Sequence, residues 1–146
     1  MFLGSFKYSI DPKGRISIPA KLRKFVASDA NDTFVMTRGT KKCIVIYPMN
    51  HWQDLVASKL NKLNPFDPKD AQFLRMFLQP AAEDKFDSQS RLMIPKNLIE
   101  FAGIKKDIMI LGVNQFMEIW DPDIYENYLK EQQQSYDEIA KEVMNI

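Results

Sequence analysis

The first fifty residues alternate between apolar and polar positions in a way that predicts short strands around a turn. Residues 6–10 alternate as a half-buried strand does, residues 11–14 have turn composition with proline second, and residues 15–18 resume the alternation. This pattern predicts a β-hairpin. A short amphipathic helix then begins at Pro19, and two apolar runs separated by a polar turn follow it up to Tyr47. The pattern therefore predicts a unit of hairpin, helix and hairpin.

The same unit occurs twice along the chain. Residues 11–19 match residues 87–95 at an offset of 76, with Asp, Arg, Ile and Pro at the same places. In the second copy Gly103 is placed to cap the short helix that follows Pro95. A loop is three residues shorter in the second copy, so the offset becomes 73 where Trp52 matches Tyr125. We divide the chain into a first unit (5–50), a helical linker (51–80), a second unit (81–124) and a C-terminal helix (125–146).

Two helices are predicted between the units. Asn50 is placed as a helix cap, and an apolar face continues from there to Leu63 before a proline-containing segment breaks the helix. Asp67 and Pro68 start a second helix, which Pro80 ends. The two helices form a linker that packs through apolar faces.

The C-terminal tail also has a helical pattern. Leu129, Tyr136 and Val143 recur every seven residues, opposite an acidic and Gln-rich face. Such a stripe favours packing within the chain or between subunits, and the alternative is a groove on an external partner.

A unit of about 45 residues buries too little surface to be stable alone. We therefore expect the two units to intertwine about a pseudo-twofold axis and to share one core. The fold class that follows is α+β, mostly β, with a β-barrel core and additional helices. Exposed strand edges and eight methionines favour contacts between subunits.

Charge is sorted along the chain although the total is nearly neutral. The 20 basic and 19 acidic residues leave a net charge of +1. Residues 1–28 carry six basic side chains against Asp11, whereas residues 121–146 carry seven acidic ones against two lysines. The basic end is typical of a phosphate-binding face, and the alternative is a solvated face without a ligand.

The chain offers little for catalysis, metal binding or membrane insertion. Cys43 and His51 are single residues of their kinds and cannot build a Cys/His zinc site, and the five glycines form no nucleotide-binding loop. We interpret Cys43 as a buried thiol and His51 as a surface residue at a helix start. No apolar run approaches the roughly 18 residues of a membrane span, and the N-terminus lacks a signal-peptide pattern. These features predict no enzyme, no cofactor, no metal and no membrane partner, in a cytoplasmic protein.

The pattern Asp-x-x-x-Arg occurs in the first hairpin of each unit, as Asp11 with Arg15 and Asp87 with Arg91. Each aspartate can accept hydrogen bonds from its own turn or from the arginine, which would hold the guanidinium in one direction. A guanidinium held in this way suits a guanine edge or a phosphate in a DNA groove. The alternative is a structural pair that only fixes the turn, and these residues favour neither interpretation over the other.

Basic residues surround the first motif in the sequence but not the second. The candidate DNA-binding residues of the first unit are Asp11, Gly14 and Arg15 in the turn, Lys13, Lys21, Arg23 and Lys24 as phosphate contacts, and Lys7. In the second copy Gln89, Asn97 and Glu100 replace Lys13, Lys21 and Lys24. We therefore expect the first unit to read DNA and the second to hold the assembly, with Arg15→Ala more damaging than Arg91→Ala.

These motifs together resemble the MraZ family over nearly the whole chain up to about Tyr125. The resemblance rests on residues 1–4, 11–23, 37–39, 46–48, Trp52, 73–75, 91–95 and 118–121. It implies a bacterial transcriptional regulator made of two AbrB-like swapped-hairpin units and assembled as a closed homo-oligomeric ring, an octamer or dodecamer.

The resemblance also implies what the protein binds. Members of the family bind short direct repeats of double-stranded DNA in the promoter of their own cell division and cell-wall operon, mostly as repressors, which would associate this protein with the nucleoid. The family's contact motif carries over to Asp11, Arg15, Asp87 and Arg91.

One departure from the family and two rival functions remain. The family turn has glycine before the arginine, as Gly14 does, but the second unit has Ser90, where a positive φ is more costly. A different shape is therefore expected for the second loop.

The rival functions are a ring scaffold that acts through protein contacts and an enzyme that acts on nucleic acid, which the missing catalytic groups disfavour.

Overall fold

Strands of the two units pair with each other in the computed structural model, which describes all residues 1–146. The fold is mixed α+β, with eight strands and six α-helices. The strands are β1 (Ser5–Ser9), β2 (Arg15–Ser17), β3 (Thr33–Arg38), β4 (Ile44–Pro48), β5 (Ala82–Lys85), β6 (Arg91–Met93), β7 (Asp107–Val113) and β8 (Phe116–Trp120). The helices are α1 (Ala20–Arg23), α2 (Met49–Ser58), α3 (Pro68–Leu78), α4 (Lys96–Phe101), α5 (Pro122–Glu131) and α6 (Tyr136–Met144), with 3₁₀ turns at Ser28–Ala30 and Leu60–Lys62.

The strands form one open antiparallel sheet of six and a separate antiparallel pair. The sheet has the order β1-β7-β8-β4-β3-β5, and the pair, here named the ribbon, consists of β2 and β6. The second hairpin of each unit forms as predicted, since β3 pairs with β4 and β7 with β8.

The predicted first hairpins are wrong. The N–H of Asp11 donates to the carbonyl of Arg15 at 3.0 Å and closes the turn, but β1 then pairs with β7 and β2 with β6. In the same way β5 leaves its own unit and pairs with β3. This exchange lets strands of both units bury their apolar sides in one core, which a two-stranded local hairpin cannot do.

Equivalent residues of the two copies lie opposite each other at two places. Ile16 pairs with Leu92, its equivalent at the offset of 76, and Val45 pairs with Glu118, its equivalent at the offset of 73. A residue that faces its own equivalent marks a twofold axis, so the predicted pseudo-twofold axis passes through both pairs. The closed barrel is not confirmed, because β1 and β5 lie at the two ends of the sheet and the sheet stays open.

The core lies between the inner face of the sheet and the ribbon. The ribbon contributes Ile16 and Leu92, and the short helices α1 and α4 contribute Leu22 and Leu98, all with 0% exposure. The sheet adds the fully buried Ile44, Ile46, Ile108, Ile110, Met117 and Ile119. Burying one such side chain contributes about 1.5 to 3 kcal/mol, so the core holds the ribbon firmly against the sheet.

Helices of both units cover the outer face of the sheet. α2 begins directly after β4, and α5 begins after Asp121, the single residue that follows β8; the two helix starts are 73 residues apart. Trp52 of α2 packs against Tyr47 and against Phe77 of α3, with ring centroids 5.6 and 5.7 Å apart. Tyr125 of α5 packs against Trp120 at 5.0 Å. The six helices are all too short or too polar to cross a membrane.

Local signals placed two of the predicted helix ends correctly. The Asp67 carboxylate accepts from the N–H of Asp70 at 2.9 Å at the start of α3, which ends at Leu78. At the end of α4, Gly103 has a φ of 65° and its N–H donates to the carbonyl of Glu100, while the next N–H donates to Ile99. These bonds form a Schellman cap, which the placement of a glycine there had predicted.

Two other helix predictions were wrong. Asn50 does not cap α2, because the helix begins at Met49 after Pro48 and so includes Asn50 in its first turn; it ends at Ser58. The tail forms two helices, α5 and α6, where one was predicted, because the hydroxyl of Ser135 accepts from the N–H of Glu138 at 3.2 Å and starts a new helix. The seven-residue repeat of the tail therefore spans the break between α5 and α6.

Candidate nucleic-acid interface

The ribbon has one buried and one exposed face. Because neighbouring side chains of a strand point to opposite sides, Ile16 and Leu92 face the core while Arg15 and Arg91 face outward. Arg15 lies opposite Met93, two residues beyond Arg91, so the two arginines are diagonal neighbours, roughly 7 to 8 Å apart in a regular ladder. The structure thus brings both motif arginines onto one surface beside the pseudo-twofold axis.

Asp11 holds the first arginine and its turn together. One carboxylate oxygen accepts from the backbone N–H groups of Lys13 and Arg15 at 3.0 and 2.8 Å. The other oxygen accepts from Nε of the Arg15 guanidinium at 2.6 Å. The aspartate therefore fixes both the turn and the direction of the arginine. This geometry agrees with both interpretations from the sequence, the arginine oriented for DNA and the structural pair that fixes the turn.

The second motif has the same geometry. Asp87 accepts from the N–H groups of Gln89 and Arg91 at 2.8 and 2.9 Å, and from Nε of Arg91 at 2.8 Å. Ser90 has a φ of 59°, in the same left-handed region as Gly14 at 83°. The expectation of a different loop shape was therefore wrong: the hydrogen bonds of Asp87 and the strand pairing hold serine in a conformation that glycine adopts more easily.

The same hydrogen bonds change the acidity of both aspartates. The backbone N–H of Arg15, followed by its guanidinium, holds the pKa of Asp11 below its ordinary value, and burial opposes this only partly. The backbone N–H of Arg91 lowers the pKa of Asp87 in the same manner. Both carboxylates are therefore ionised at neutral pH and keep their ion pairs.

Each arginine keeps donors for a ligand. Only Nε is bonded by the aspartate, and the terminal nitrogens of Arg15 and Arg91 make no hydrogen bond within the chain and are not buried. A guanidinium that is fixed at Nε and free at both ends of its fork can form two parallel bonds to a planar acceptor or to a phosphate.

Strand exchange changes which cations stand beside which arginine. The N–H of Ile18, two residues before α1, donates to the carbonyl of Ser90 in the second turn at 3.3 Å. Helix α1, which carries Lys21 and Arg23 and is followed by Lys24, therefore begins at the end of the ribbon that is nearer the second turn. The sequence analysis places these three residues around Arg15 on the assumption that the hairpin and helix of one unit stay together, and their part in DNA binding stays a prediction.

The first turn receives other cations in exchange. The N–H of Ile94 donates to the carbonyl of Gly14 at 2.8 Å, which places the start of α4, with exposed Lys96, beside this turn. The N–H of Ile10 donates to the carbonyl of Lys106 at 2.8 Å, and Lys105 is adjacent. Lys105 and Lys106 are exposed. Together with Lys96 they join Lys13, which is exposed within the turn itself. Sequence reasoning missed Lys96, Lys105 and Lys106, since no motif marks them and they come from the other unit.

Lys7 lies away from this surface. On β1 it faces Met109 of β7, two residues from Leu111, which packs in the outer cluster on the far side of the sheet. Lys7 is therefore placed on the face opposite the ribbon and does not join the other candidate residues.

The remaining candidates for chemistry are the single residues Cys43 and His51. Burial, followed by the charge of Glu118, raises the pKa of the Cys43 thiol to about 12, so it stays protonated at neutral pH. His51 is half-buried in the first turn of α2 with no hydrogen bond to its Nδ1. No group of three His, Cys, Asp or Glu side chains is placed to hold a metal ion.

Comparison with known proteins agrees with the duplicated architecture. The family described as "MraZ protein, putative antitoxin-like" matches the chain twice, over residues 1–76 and 77–145. The two matches divide the chain at the same offset that relates the two Asp-Arg turns.

Curated relatives match the chain over its full length or nearly so. A protein of Natranaerobius thermophilus is 40% identical over 100% of this chain and 99% of its own, and one of Syntrophomonas wolfei is 42% identical with the same coverage. A protein of Halothermothrix orenii is 43% identical over 96% of this chain and 94% of its own. Each of the three is named "Transcriptional regulator MraZ", a name for a regulator and not for an enzyme, which agrees with the sequence interpretation. The two family matches and the identity to these relatives show that the chain belongs to the MraZ family of transcriptional regulators.

Proposed function

We propose that this protein regulates transcription by binding double-stranded DNA with the exposed face of the ribbon. The observation that carries the proposal is the presence of two arginines, Arg15 and Arg91, on one exposed face, each fixed by its aspartate. A two-stranded antiparallel ribbon fits the major groove of B-DNA, which is about 12 Å wide, and a guanidinium there can bond O6 and N7 of guanine. We assign base reading to the two arginines.

The cations on either side of the ribbon are assigned to phosphates. Lys13, Lys96, Lys105 and Lys106 flank the first turn, and Lys21, Arg23 and Lys24 flank the second. Lysines act as point charges on the DNA backbone and carry no sequence information, so they position the ribbon while the arginines specify the site. Arg23 is half-buried and Lys24 lies over the ring of Phe25 at 5.1 Å, so Lys21 is the freest of the α1 group.

We further propose that the protein binds direct repeats in the promoter of its own cell division and cell-wall operon as a repressor, in the cytoplasm at the nucleoid. A ring of eight or twelve copies presents ribbons side by side. Neighbouring ribbons on neighbouring repeats add their weak contacts through effective concentration. The family resemblance supports the operon and the ring, and the paired arginines support the reading of DNA.

A ring scaffold that acts through protein contacts is the second candidate. Exposed apolar side chains favour it, among them Phe66, Tyr136 and Val143 at 92%, 81% and 72% exposure. Such residues mark contact surfaces for protein partners or further copies of the chain.

A mobility-shift assay on the upstream DNA of the operon separates the two candidates. We expect the parent protein to shift this DNA and the double variant Arg15→Ala/Arg91→Ala not to shift it, while light scattering gives both the same mass, several times 17.0 kDa. Lys7→Ala is the matched control, because it removes a positive charge from the opposite face and should bind like the parent. Unchanged binding of the double variant, or no specific shift by the parent, would favour the scaffold.

Salt and repeat number test the avidity of the ring. The logarithm of the affinity should fall with the logarithm of the salt concentration by about 0.9 per phosphate neutralised. An operator cut to a single repeat should lose measurable binding while the ring stays intact. Equal affinity for one repeat and for several would contradict the avidity argument.

A further inference from the structure

The exposed face of the ribbon carries four side chains in two cross-strand pairs. Arg15 lies opposite Met93, and Ser17 lies opposite Arg91. Arg91 is the equivalent of Arg15 at the offset of 76, and Met93 is the equivalent of Ser17. The pseudo-twofold axis, which passes between the two pairs, therefore exchanges one pair for the other. The two ends of the face have the same arginine and differ in the residue beside it, which is methionine at one end and serine at the other.

Met93 is the apolar member of this face. Its side chain is 46% exposed, while Leu92 and Ile94 on either side of it along the chain are buried in the core at 0% and 3% exposure. The hydrophobic core therefore does not use Met93. Its apolar surface is available to a ligand at the place where the structure presents a fixed guanidinium.

Met93 is held in place beside the first turn. Its backbone N–H donates to the Asp84 carboxylate at 2.7 Å. Its sulfur lies 4.0 Å from the position that a Cβ on Gly14 would occupy, so the thioether packs along the turn that leads into Arg15. The backbone and the side chain of Met93 are thus both placed next to the guanidinium before DNA binds, which lowers the ordering cost of binding.

The spacing of the face matches that of neighbouring base pairs. Side chains of a cross-strand pair have Cβ atoms about 4.5 to 5.5 Å apart, and successive base pairs of DNA are about 3.4 Å apart. An Arg15 that reads one base pair thus brings Met93 over the neighbouring base pair. Thymine is the base that presents a methyl group in the major groove, and apolar side chains contact it there. A serine hydroxyl can donate to or accept from any base edge, so Ser17 discriminates less.

We infer that Met93 contacts the methyl group of a thymine next to the guanine that Arg15 reads, and that each ribbon therefore reads its DNA element in one direction. The inference rests on the proposed function, since it needs the arginine face on DNA. Serine at both ends would make the face twofold symmetric, and a symmetric reader matches a palindrome. Met93 removes that symmetry, which favours elements that all point the same way along the DNA.

The test removes the methyl contact from either side of the interface. The probe is the upstream DNA of the operon, prepared with thymine or with uracil, which lacks only the 5-methyl group. In fluorescence anisotropy the parent should bind thymine DNA about fourfold more tightly per engaged ribbon, the gain expected for burying one methyl-sized group. Met93→Ser, which places the first copy's residue at both ends, should lose this preference. Met93→Leu keeps an apolar side chain and should retain it.

Met76→Ser is the matched control. Met76 lies on α3, outside the ribbon, and is 45% exposed, nearly as much as Met93, so the same substitution there should keep the full preference. Any effect of uracil on the shape of the DNA acts on all these proteins alike and cancels in the double-mutant cycle. Circular dichroism and light scattering should give Met93→Ser the fold and mass of the parent.

Uracil in one strand at a time tests the direction of reading. On direct repeats every ribbon faces the same way along the DNA, so uracil in one strand should cause nearly the whole loss of affinity and uracil in the other strand almost none. Equal losses from both strands would contradict the inference.

The same measurements separate failure of the inference from failure of the proposed function. A full thymine preference in Met93→Ser, or no preference in a parent that shifts the DNA, would overturn the inference and leave the proposed function in place. A smaller mass of Met93→Ser would show that this residue contacts another copy of the chain and would also overturn it. A parent protein that does not bind the upstream DNA would remove the proposed function and, with it, the inference.

Discussion

The two Asp-Arg turns are the same in geometry and different in surroundings. Both aspartates accept two backbone N–H groups and one Nε, and both turns place their penultimate residue at positive φ. The first turn is flanked by lysines of the second unit, and the second turn by the cations of α1 and by the carbonyl of Asp32, which accepts from the N–H of Phe86. Local hydrogen bonds thus preserve the turn, whereas strand exchange decides its electrostatic neighbours.

This comparison changes the expectation that the first unit alone binds DNA and the second holds the assembly. In the sequence the first motif alone has basic neighbours, and that favours it as the reader. In the structure both arginines lie on the same surface with cations beside each of them. We therefore expect both turns to contribute to DNA binding, and the following predictions test the comparison in order of decreasing effect.

Removing either arginine should have the largest effect. Arg15→Ala and Arg91→Ala should each lose about 1 to 3 kcal/mol of binding free energy per engaged subunit, as expected for a bidentate base contact, with losses within about tenfold of each other. Titration by fluorescence anisotropy on specific and scrambled DNA measures both losses. A large loss for Arg15→Ala beside no loss for Arg91→Ala would restore the asymmetry that the sequence favours.

Removing the cations should weaken binding to all sequences equally. Lys105→Gln/Lys106→Gln and Lys21→Gln/Lys24→Gln should each reduce the salt slope by about 0.9 per lost phosphate contact, without changing the ratio of specific to scrambled DNA. Double-mutant cycles show which turn each pair serves. The first pair should couple to Arg15 and the second to Arg91, and the reverse coupling would contradict the exchange.

Exchanging the turn residues should alter stability more than binding. Gly14→Ala should destabilise by about 1 to 3 kcal/mol, because a side chain at a φ of 83° is strained and would lie 3.1 Å from the carbonyl oxygen of Ile94. Ser90→Gly should stabilise by at most about 1 kcal/mol, since relief of its positive φ is offset by the greater entropy of glycine in the unfolded chain. Urea denaturation compares the two. Equal and opposite changes are not expected, and destabilisation by Ser90→Gly would show that the entropy cost of glycine exceeds the strain that it relieves there.

Acid should have the smallest effect and should act on both turns alike. Because the pKa of Asp11 and of Asp87 is lower in the folded protein, both ion pairs stabilise the fold above the unfolded carboxyl pKa of about 3.9 and lose this contribution as the pH falls through the lower folded value. Stability should thus not depend on these groups between pH 5 and pH 7. Thermal unfolding of Asp11→Asn and Asp87→Asn from pH 7 to pH 3 should show a shallower acid loss than the parent, to a similar extent in each.

Several features followed from the sequence alone because the bonds that make them are local. The Asp-Arg turns, the Asp67 cap of α3 and the Gly103 cap of α4 each depend on residues within about five positions of one another. In such short segments residue type selects the geometry, so a motif is enough to place it. The family could be identified for the same reason, since its motifs are local.

Only the tertiary structure decided the partners of the strands and therefore the composition of the interface. In local terms β1 could pair with β2 as well as with β7, and the choice depends on how much apolar surface of both units enters one core. That choice placed the start of α1 beside the second turn, Lys106 beside Ile10 at the first turn, and Lys7 on the far face. Burial depends on contacts between residues far apart in the sequence, and for this reason the motif residues were predictable while their neighbours were not.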